Sequence, residues 1–308
     1  QDLKVVRPKM FIGINDSYKK FKNASKDIDI DVILFPAVRS LDNNIIKTLY
    51  GAKQIISGNV LLSLDSKLDY VLKKGKSFED AIYPIHKDKK IGDIMFTGGS
   101  SGTHKGVMLS ENGLNCVTKS LDYVTELEPG EIFMGNLPTF MAFGKLAMHY
   151  ALCKSLNVNL TLKALPKDFK EELYRIKPAG VFAGPIQWEC FLNSIFGEIS
   201  NKDEKIDFSL NQNTDYIKYL ESLKAMLRKA DTSKLDLSWL KMGVSGGEQL
   251  KMFTELLCST VFEELGAPDV LWNGLGMTEM WAPVAVKMGK KNTNGTVGAV
   301  IPYNNEMI

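Results

Sequence analysis

Few of the residues that form disulfides or bind transition metals occur in this sequence. Its 308 residues include four cysteines and three histidines. The cysteines are Cys116, Cys153, Cys190 and Cys258. They form no C-x-x-C pair, which argues against a zinc ribbon, a redox dithiol and a disulfide-stapled secreted fold. We therefore expect reduced thiols in a cytoplasmic protein.

A marked excess of one charge is missing as well. Lys plus Arg number 38 and Asp plus Glu number 36, a formal net charge of +2. Nucleic-acid-binding proteins usually need a clear basic excess to neutralise phosphates. No apolar run approaches the roughly 18 residues that cross a bilayer. Apolar residues make up 44% and charged residues 24%, as in an average globular chain. The composition predicts a globular protein with no nucleic-acid partner and no transmembrane segment.

Short β-rich runs alternate with longer amphipathic stretches along the chain. The predicted strands are 9–14, 31–35, 91–96, 132–136, 159–162, 180–183, 241–245, 269–272 and 284–287, and residues 305–308 are expected to lie in the middle of another strand. The predicted helices are 42–50, 61–72, 112–124, 142–156, 167–176, 186–196, 216–229 and 249–265. The polar stretch 197–214 is expected to be a surface excursion. This alternation predicts an α/β fold with mostly parallel β-sheets flanked by helices.

The segment with the most chemical information, residues 96–106, reads F-T-G-G-S-S-G-T-H-K-G. Glycines let backbone N–H groups face a bound anion, hydroxyls add donors, and Lys105 adds a mobile positive charge. A helix expected to begin shortly afterwards would add positive potential at its N-terminus. Neither the dinucleotide pattern G-x-G-x-x-G nor the P-loop pattern G-x-x-x-x-G-K-[ST] is present here. The segment therefore predicts a phosphate-binding loop of a third kind.

This segment resembles the signature loop of the acyl-adenylate-forming enzymes, [YF]-T-S-G-[TS]-[TS]-G-x-P-K-G, and departs from it at Gly98 and His104. That family includes acyl- and aryl-CoA synthetases, luciferases and the adenylation domains of peptide synthetases. Further segments resemble family motifs in the family's order, namely 136–144, 245–250, 273–279 and 295–302. Met141 and Leu275 stand where the family usually has a histidine and a tyrosine. The resemblance covers the chain from about residue 90 to its end.

The resemblance implies ATP-dependent activation of a carboxylic acid as acyl-AMP, followed by transfer to CoA, the acceptor substrate. The nucleotide-binding residues that it implies are Thr97, Gly98, Gly99, Ser100, Ser101, Gly102, Thr103, Lys105, Gly246, Gly247, Glu248, Asn273, Gly274, Leu275, Gly276 and Thr278. The catalytic residues that it implies are Lys105, Thr278 and Glu279, with Mg²⁺ held by the carboxylate of Glu279. Lys105 would contact the β- and γ-phosphates, and Thr278 the α-phosphate. Trp188 falls where the family often has acyl-pocket residues, but a core position is the stronger expectation for it.

The family's large domain is a layered αβαβα structure, and residues 1–308 are expected to be a part of it, truncated at both ends. The family's T-G-D aspartate, its hinge and its late lysine are not found in this sequence. We therefore expect the small C-terminal domain to be absent and the chain to be inactive alone. Two alternatives remain open. One is an adenylation domain that loads an aryl or amino acid onto a carrier protein. The other is a catalytically inactive nucleotide-binding module, which the departures from the family pattern would fit.

Overall fold

The structure is a computed structural model that describes residues 6, 8–25, 31–35, 73, 91–97, 105–161, 165–200, 206, 208, 216–288 and 295–301. The chain divides into two compact units. The first comprises Gln1–Lys87 and Gly98–Gly106, and the second comprises Asp88–Thr97 and Val107–Ile308. None of the helices in the described ranges combines the length and the apolar character that crossing a bilayer requires.

Two parallel strands and a helix are described in the first unit. Strand β1 (Met10–Ile14) pairs in parallel with β2 (Asp31–Phe35), and α1 (Asn15–Ala24) follows β1 directly. Both strands agree with the predicted ranges. Helix α1 was not predicted, because its ten residues are mostly polar. The predicted helices 42–50 and 61–72 lie outside the described residues.

The second unit contains the remaining elements, with β4 belonging to it from Val107 onward. The strands are β3 (Ile91–Thr97), β4 (Lys105–Ser110), β5 (Ile132–Gly135), β6 (Asn157–Leu160), β7 (Gly180–Ala183), β8 (Met242–Ser245), β9 (Leu271–Met277), β10 (Ala282–Lys287) and β11 (Ala299–Val300). The α-helices are α2 (Glu111–Val124), α3 (Ala142–Cys153), α4 (Phe169–Ile176), α5 (Pro185–Ser200), α6 (Tyr216–Lys229) and α7 (Met252–Glu264). Two short 3₁₀ turns occupy Pro166–Asp168 and Thr278–Met280.

Seven of the described strands form one sheet, in the order β11-β10-β9-β8-β7-β5-β6. The pairs β6–β5, β5–β7, β7–β8 and β8–β9 are parallel, whereas β9–β10 and β10–β11 are antiparallel. The predicted fold class, α/β with a mostly parallel sheet flanked by helices, is confirmed. The parallel strands β5, β7, β8 and β9 therefore direct their carboxyl ends to one edge, where open α/β sheets bind their ligands.

Helices cover both faces of this sheet. Phe133 and Phe182 pack on one face with Tyr150 of α3, in a core that also includes α2. The neighbouring residues Met134 and Val181 belong to the other core, with α5 and α7. Successive residues of a strand point to opposite faces, so a sheet covered on both sides needs continuous apolar runs. This explains why the strands read as apolar runs in the sequence.

Two element ends in the second half of the chain differ most from the predicted ones. Helix α5 continues to Ser200, into the stretch predicted to be a surface excursion. Of residues 201–214 the structure describes Ile206 and Phe208, and both are buried in the core. The prediction of a surface excursion is therefore wrong at those two positions, where isolated apolar residues in a polar stretch anchor it to the core. Strand β9 extends to Met277 instead of ending at Trp272, because its glycine-rich second half pairs with β10.

Candidate functional site

A cavity of about 130 Å³ lies at the carboxyl edge of the parallel strands. Three segments line it, and each follows a parallel strand. The lining residues are Leu137, Met141, Phe143 and Gly144 after β5, Gly184, Pro185, Ile186 and Gln187 after β7, and Gly246, Gly247 and Glu248 after β8. The structure thus brings two predicted motifs, 136–144 and 245–250, to one cavity. A largely apolar cavity at this edge of the sheet is a candidate ligand site.

The glycine pair after β8 is required by packing and by backbone conformation. Gly246 is buried, and a Cβ atom there would lie 3.1, 3.3 and 3.4 Å from three ring atoms of Phe143. Gly247 has a φ of +87°, in the left-handed region that favours glycine. Glu248 follows with an exposed side chain. The predicted residues Gly246, Gly247 and Glu248 therefore form one wall of the cavity.

The motif after β5 is folded back tightly on the start of α3. A Cβ atom at Gly144 would overlap the carbonyl oxygen of Pro138. The backbone N–H of Met141 donates to the same oxygen at 3.2 Å. Because the turn leaves no room at Gly144, Phe143 and Met141 are held at the cavity rim. Met141, the residue that replaces the family's histidine, is 48% exposed.

Of the segment after β7, Trp188 was weighed as an acyl-pocket residue, whereas the four residues before it, which line the cavity, were assigned no role. Gly184 follows the strand, and Pro185 begins α5. Proline suits this first helical position, because a backbone N–H here would have no partner within the helix. The side chain of Gln187 accepts a hydrogen bond from the Gly184 backbone N–H at 2.8 Å. The sequence signal that could have identified this turn is an apolar strand followed by Gly-Pro. Its position beside β8 becomes apparent only from the strand order.

Trp188, one residue further on, is a core residue, as the stronger expectation had it. Its side chain is fully buried, with ring centroids 5.1 Å from Phe169, 6.4 Å from Phe191 and 5.7 Å from Phe262. These edge-on contacts fix α5 against the neighbouring helices. Trp188 does not line the cavity described above.

The predicted segment 273–279 lies on β9, the strand beside β8. Asn273 pairs with Ser245 in the β8–β9 register, and its amide nitrogen donates to the carbonyl oxygen of Thr296 at 3.1 Å. Leu275 is 51% exposed, so it is available to cover a bound ring. Beyond the strand, Thr278 is half-buried and Glu279 is exposed on the 3₁₀ turn. The two predicted nucleotide motifs thus occupy adjacent strands.

The residue after this turn, Trp281, anchors both strands that flank the glycine-rich segment. Its indole nitrogen donates to the carbonyl oxygen of Ser110, the last residue of β4, at 2.9 Å. Lys145 of α3 lies over the Trp281 ring, 5.7 Å from its centroid, and pairs with Asp93 of β3. Within the second unit, β3, β4 and α3 therefore meet at the end of the Thr278–Met280 turn.

The glycine-rich segment itself is described only at its ends. Thr97 closes β3 half-buried, and Lys105 opens β4 with an exposed side chain. The remaining predicted residues, Gly98, Gly99, Ser100, Ser101, Gly102 and Thr103, lie outside the described residues, as does His104. The helix expected after the segment is confirmed as α2 (Glu111–Val124). Strand β4, in which Leu109 is buried and Met108 exposed, was not predicted and lies between the segment and this helix. Helix α2 starts only at Glu111, with Ser110 capping the Gly113 N–H.

A buried ion pair holds the segment that follows β10. The Lys287 ammonium lies 2.5 Å from one carboxylate oxygen of Glu255 on α7, and the other oxygen accepts from the Gly295 N–H at 2.9 Å. Gly295 and Gly298 have φ angles of +80° and +77°, as glycine favours. The predicted motif 295–302 is thereby fixed next to Asn273, through Thr296.

Residues 19–308 match the family model for AMP-binding enzymes. The chain belongs to the AMP-binding enzyme family. It is 25% identical over 251 residues to a probable acyl-activating enzyme 16, chloroplastic, of Arabidopsis thaliana, covering 68% of this chain and 33% of that protein. It is 23% identical over 248 residues to a long-chain-fatty-acid–[acyl-carrier-protein] ligase of the same plant, AEE15, chloroplastic, covering 67% of this chain and 32% of that protein.

The fold is also similar to that of solved structures. The ATP-bound structure of MatB from Rhodopseudomonas palustris superposes with a TM-score of 0.58 at 14% identity, covering 98% of this chain and 46% of that one. This AMP-binding chain thus spans about a third of the length of the two curated relatives and under half of that solved chain. The cavity and the β9 motif lie within the matched range.

Proposed function

We propose that this chain is part of a ligase that uses ATP to activate a carboxylic acid as acyl-AMP and transfers the acyl group to CoA. The observation that supports it most is the single cavity at the carboxyl edge, formed by the family-like segments after β5 and β8. Its apolar walls suit the body of an organic acid, and the β9 motif lies on the strand next to β8, whose following segment lines the cavity. Membership of the AMP-binding family supports ATP as the second substrate.

In this proposal the nucleotide is bound by three segments. Thr97, Lys105 and the six residues 98–103 between the described strand ends donate hydrogen bonds to the β- and γ-phosphates. Gly246, Gly247 and Glu248 line the adenosine side, together with Asn273, Gly274 and Gly276. Leu275 covers the adenine ring by apolar contact. Its 51% exposure leaves it free to do so.

Thr278 and Glu279 act at the reacting phosphate. A carboxylate oxygen of the acid attacks the α-phosphorus, and the bond to the bridging oxygen of pyrophosphate breaks. Thr278 donates to the α-phosphate, and Lys105 neutralises the negative charge of the leaving group. The exposed carboxylate of Glu279 fits Mg²⁺, a cation that takes one or two carboxylates together with substrate phosphates. Bound there, Mg²⁺ would screen the charge that otherwise keeps two anions apart.

In the second half-reaction the CoA sulfur attacks the acyl carbon and AMP leaves. A carrier-protein thiol is the alternative acceptor, and one curated relative carries the name of an acyl-carrier-protein ligase. We propose CoA as the acceptor because the sequence G-M-T-E at the end of the β9 motif resembles the form found in CoA ligases. A cytoplasmic location is proposed because none of the four cysteines, all within the described ranges, forms a disulfide in the structure. Both curated relatives are named as chloroplastic.

We further propose that residues 1–308 are part of the large adenylation domain and that a ribose-binding aspartate and a catalytic lysine come from elsewhere in the protein. Losing one charged hydrogen-bond partner weakens binding by about 1.5–3 kcal/mol, or roughly 10–150-fold. This chain alone should therefore bind ATP weakly and release no pyrophosphate. Calorimetry with ATP and Mg²⁺ tests this, and micromolar binding or turnover by the chain alone would contradict it.

The activity is tested by pyrophosphate release from the protein that contains this chain, with ATP, Mg²⁺ and a panel of fatty, aryl and amino acids. We expect release with at least one acid, and a roughly 10–150-fold loss of apparent ATP affinity in Lys105→Ala. Lys229→Ala, at the exposed end of α6, is the matched control. Binding of ATP without release for any acid would instead favour the inactive nucleotide-binding module.

A further inference from the structure

Two buried polar side chains at the carboxyl edge have no hydrogen-bond partner within the part of the chain that the structure describes. They are Asn136, at both atoms of its amide, and Ser245, at its hydroxyl. Asn136 is 5% exposed and Ser245 is fully buried. Leaving such groups unpaired costs free energy, so native proteins pair nearly all of them. These two side chains are therefore the places where an external hydrogen-bonding group would contribute most.

The residues that follow these two side chains line the candidate acid cavity. Asn136 directly follows β5 and Ser245 ends β8, and the next residue of each, Leu137 and Gly246, is part of the lining. Between them β7 ends with Ala183, whose methyl group offers no hydrogen bond. An amide and a hydroxyl therefore lie directly behind the cavity lining, with no competing partner from the end of the intervening strand.

Asn136 also lines a second cavity, of about 10 Å³, that shares Leu137 and Gly144 with the main one. Only these two residues thus line both spaces. Gly144 has no side chain, and Leu137 is half-buried, so its side chain is the movable part of the partition. A rotamer change of Leu137 would bring the amide within reach of a ligand in the main cavity.

The volume of the main cavity suits a small ligand group. At about 130 Å³ it is slightly below the ~150 Å³ of an apolar protein cavity that binds benzene. A tail of about four to six heavy atoms fills this space. Its walls are apolar apart from Gln187 and Glu248, and the Gln187 side chain is already bonded to the Gly184 N–H.

We infer that the acid activated at this site is short and carries a second hydrogen-bonding group, a hydroxyl, amide or carbonyl, which Asn136 and Ser245 bind at the end of the cavity. This rests on the proposed function and adds the substrate class to it. A site that hydrogen-bonds a substrate group discriminates strongly against analogues without it, because its own polar groups are then left unpaired. An unsubstituted acid of equal length is the analogue that such a site rejects.

The test compares two acids with equal numbers of heavy atoms, pentanoate and 4-hydroxybutanoate, as substrates of the protein that contains this chain. Pyrophosphate release gives kcat/KM for each. We expect 4-hydroxybutanoate to be preferred by about 5- to 150-fold. Asn136→Leu and, independently, Ser245→Ala should lower that preference, because each removes one of the two groups that bind the hydroxyl. Asn159→Leu, an exposed asparagine on β6, is the matched control.

Each outcome is decisive. Equal or greater kcat/KM for pentanoate overturns the inference and leaves the proposed function intact. An unchanged preference in Asn136→Leu and Ser245→Ala overturns it too, and shows that these side chains hold only internal water. If no acid of either kind, nor any of the wider panel, supports pyrophosphate release, then the proposed function fails. Loss of folding in one variant is recognised by circular dichroism, and the other variant then decides.

Discussion

The buried pair between Lys287 and Glu255 offers a sharp test of how the region behind β9 is stabilised. The Lys287 side chain is 5% exposed and that of Glu255 is 1% exposed. Glu255 also accepts the Gly295 N–H, so it connects α7, β10 and the segment before β11. Lys287→Met keeps the aliphatic length but leaves the carboxylate buried without its cation. Breaking a buried pair in this way costs about 3–5 kcal/mol.

The free energy of unfolding is measured by urea denaturation, followed through tryptophan fluorescence. The exposed pair between Lys224 and Glu263, 3.4 Å apart, is the control, and Lys224→Met should cost at most about 1 kcal/mol. Adding Glu255→Gln to Lys287→Met removes the second charge and keeps an acceptor for Gly295, so the double variant should regain most of the loss. A cost of Lys287→Met no larger than that of the surface control would refute the reasoning.

Three further predictions concern individual side chains. Gly144→Ala should destabilise the protein and abolish acid binding, because its methyl group would overlap a backbone oxygen. Gly184→Ala should be tolerated, because the atoms nearest to its added methyl group would lie at ordinary contact distances of 3.9 and 4.0 Å; calorimetry of both variants would show the difference. Burial, with a smaller contribution from a neighbouring lysine, lowers the pKa of His149 below 6.5. Stability should therefore fall as pH drops from 6.5 toward that lower pKa, and an equal fall in His149→Gln, seen in urea midpoints, would disprove this assignment. Exposed Cys153 should react with a thiol reagent under native conditions, whereas burial raises the pKa of Cys258 and should delay its labelling until urea is added, as mass spectrometry can verify.

Much of the sheet could be predicted from the sequence because its strands are buried on both faces. Runs such as Gly180–Ala183 and Met242–Ser245 are short, apolar and bounded by polar or turn-forming residues, which is a local signal. The second half of β9 gives the opposite signal, since N-G-L-G favours a turn. Only its pairing with β10, fixed by tertiary structure, makes it a strand.

The candidate site, like the sheet, could be predicted only in part from the sequence. The motifs at Gly246 and Asn273 were found through their resemblance to family motifs. Gln187 was not predicted, and Asn136 was given no role although it opens the predicted motif 136–144, because a single polar residue at a strand end is unremarkable until the strand order is known. The order β5-β7-β8 brings the segments after these strands to one edge, and no local pattern reports which strands are neighbours.

The motif matches also bear on whether the chain belongs to an enzyme or to an inactive relative. Folding alone explains several glycines, since a Cβ atom at Gly144, Gly276 or Gly298 would overlap backbone atoms. An inactive protein with this fold would need the same glycines, so they do not separate the two hypotheses. Lys105 and Glu279 are different, because both side chains are exposed and no packing constraint requires a charge there. Their agreement with the family pattern is best explained by a ligand that carries phosphates and a divalent cation. Replacing either one should then weaken ATP binding while leaving the urea midpoint unchanged, and a fall in stability instead would favour a structural role.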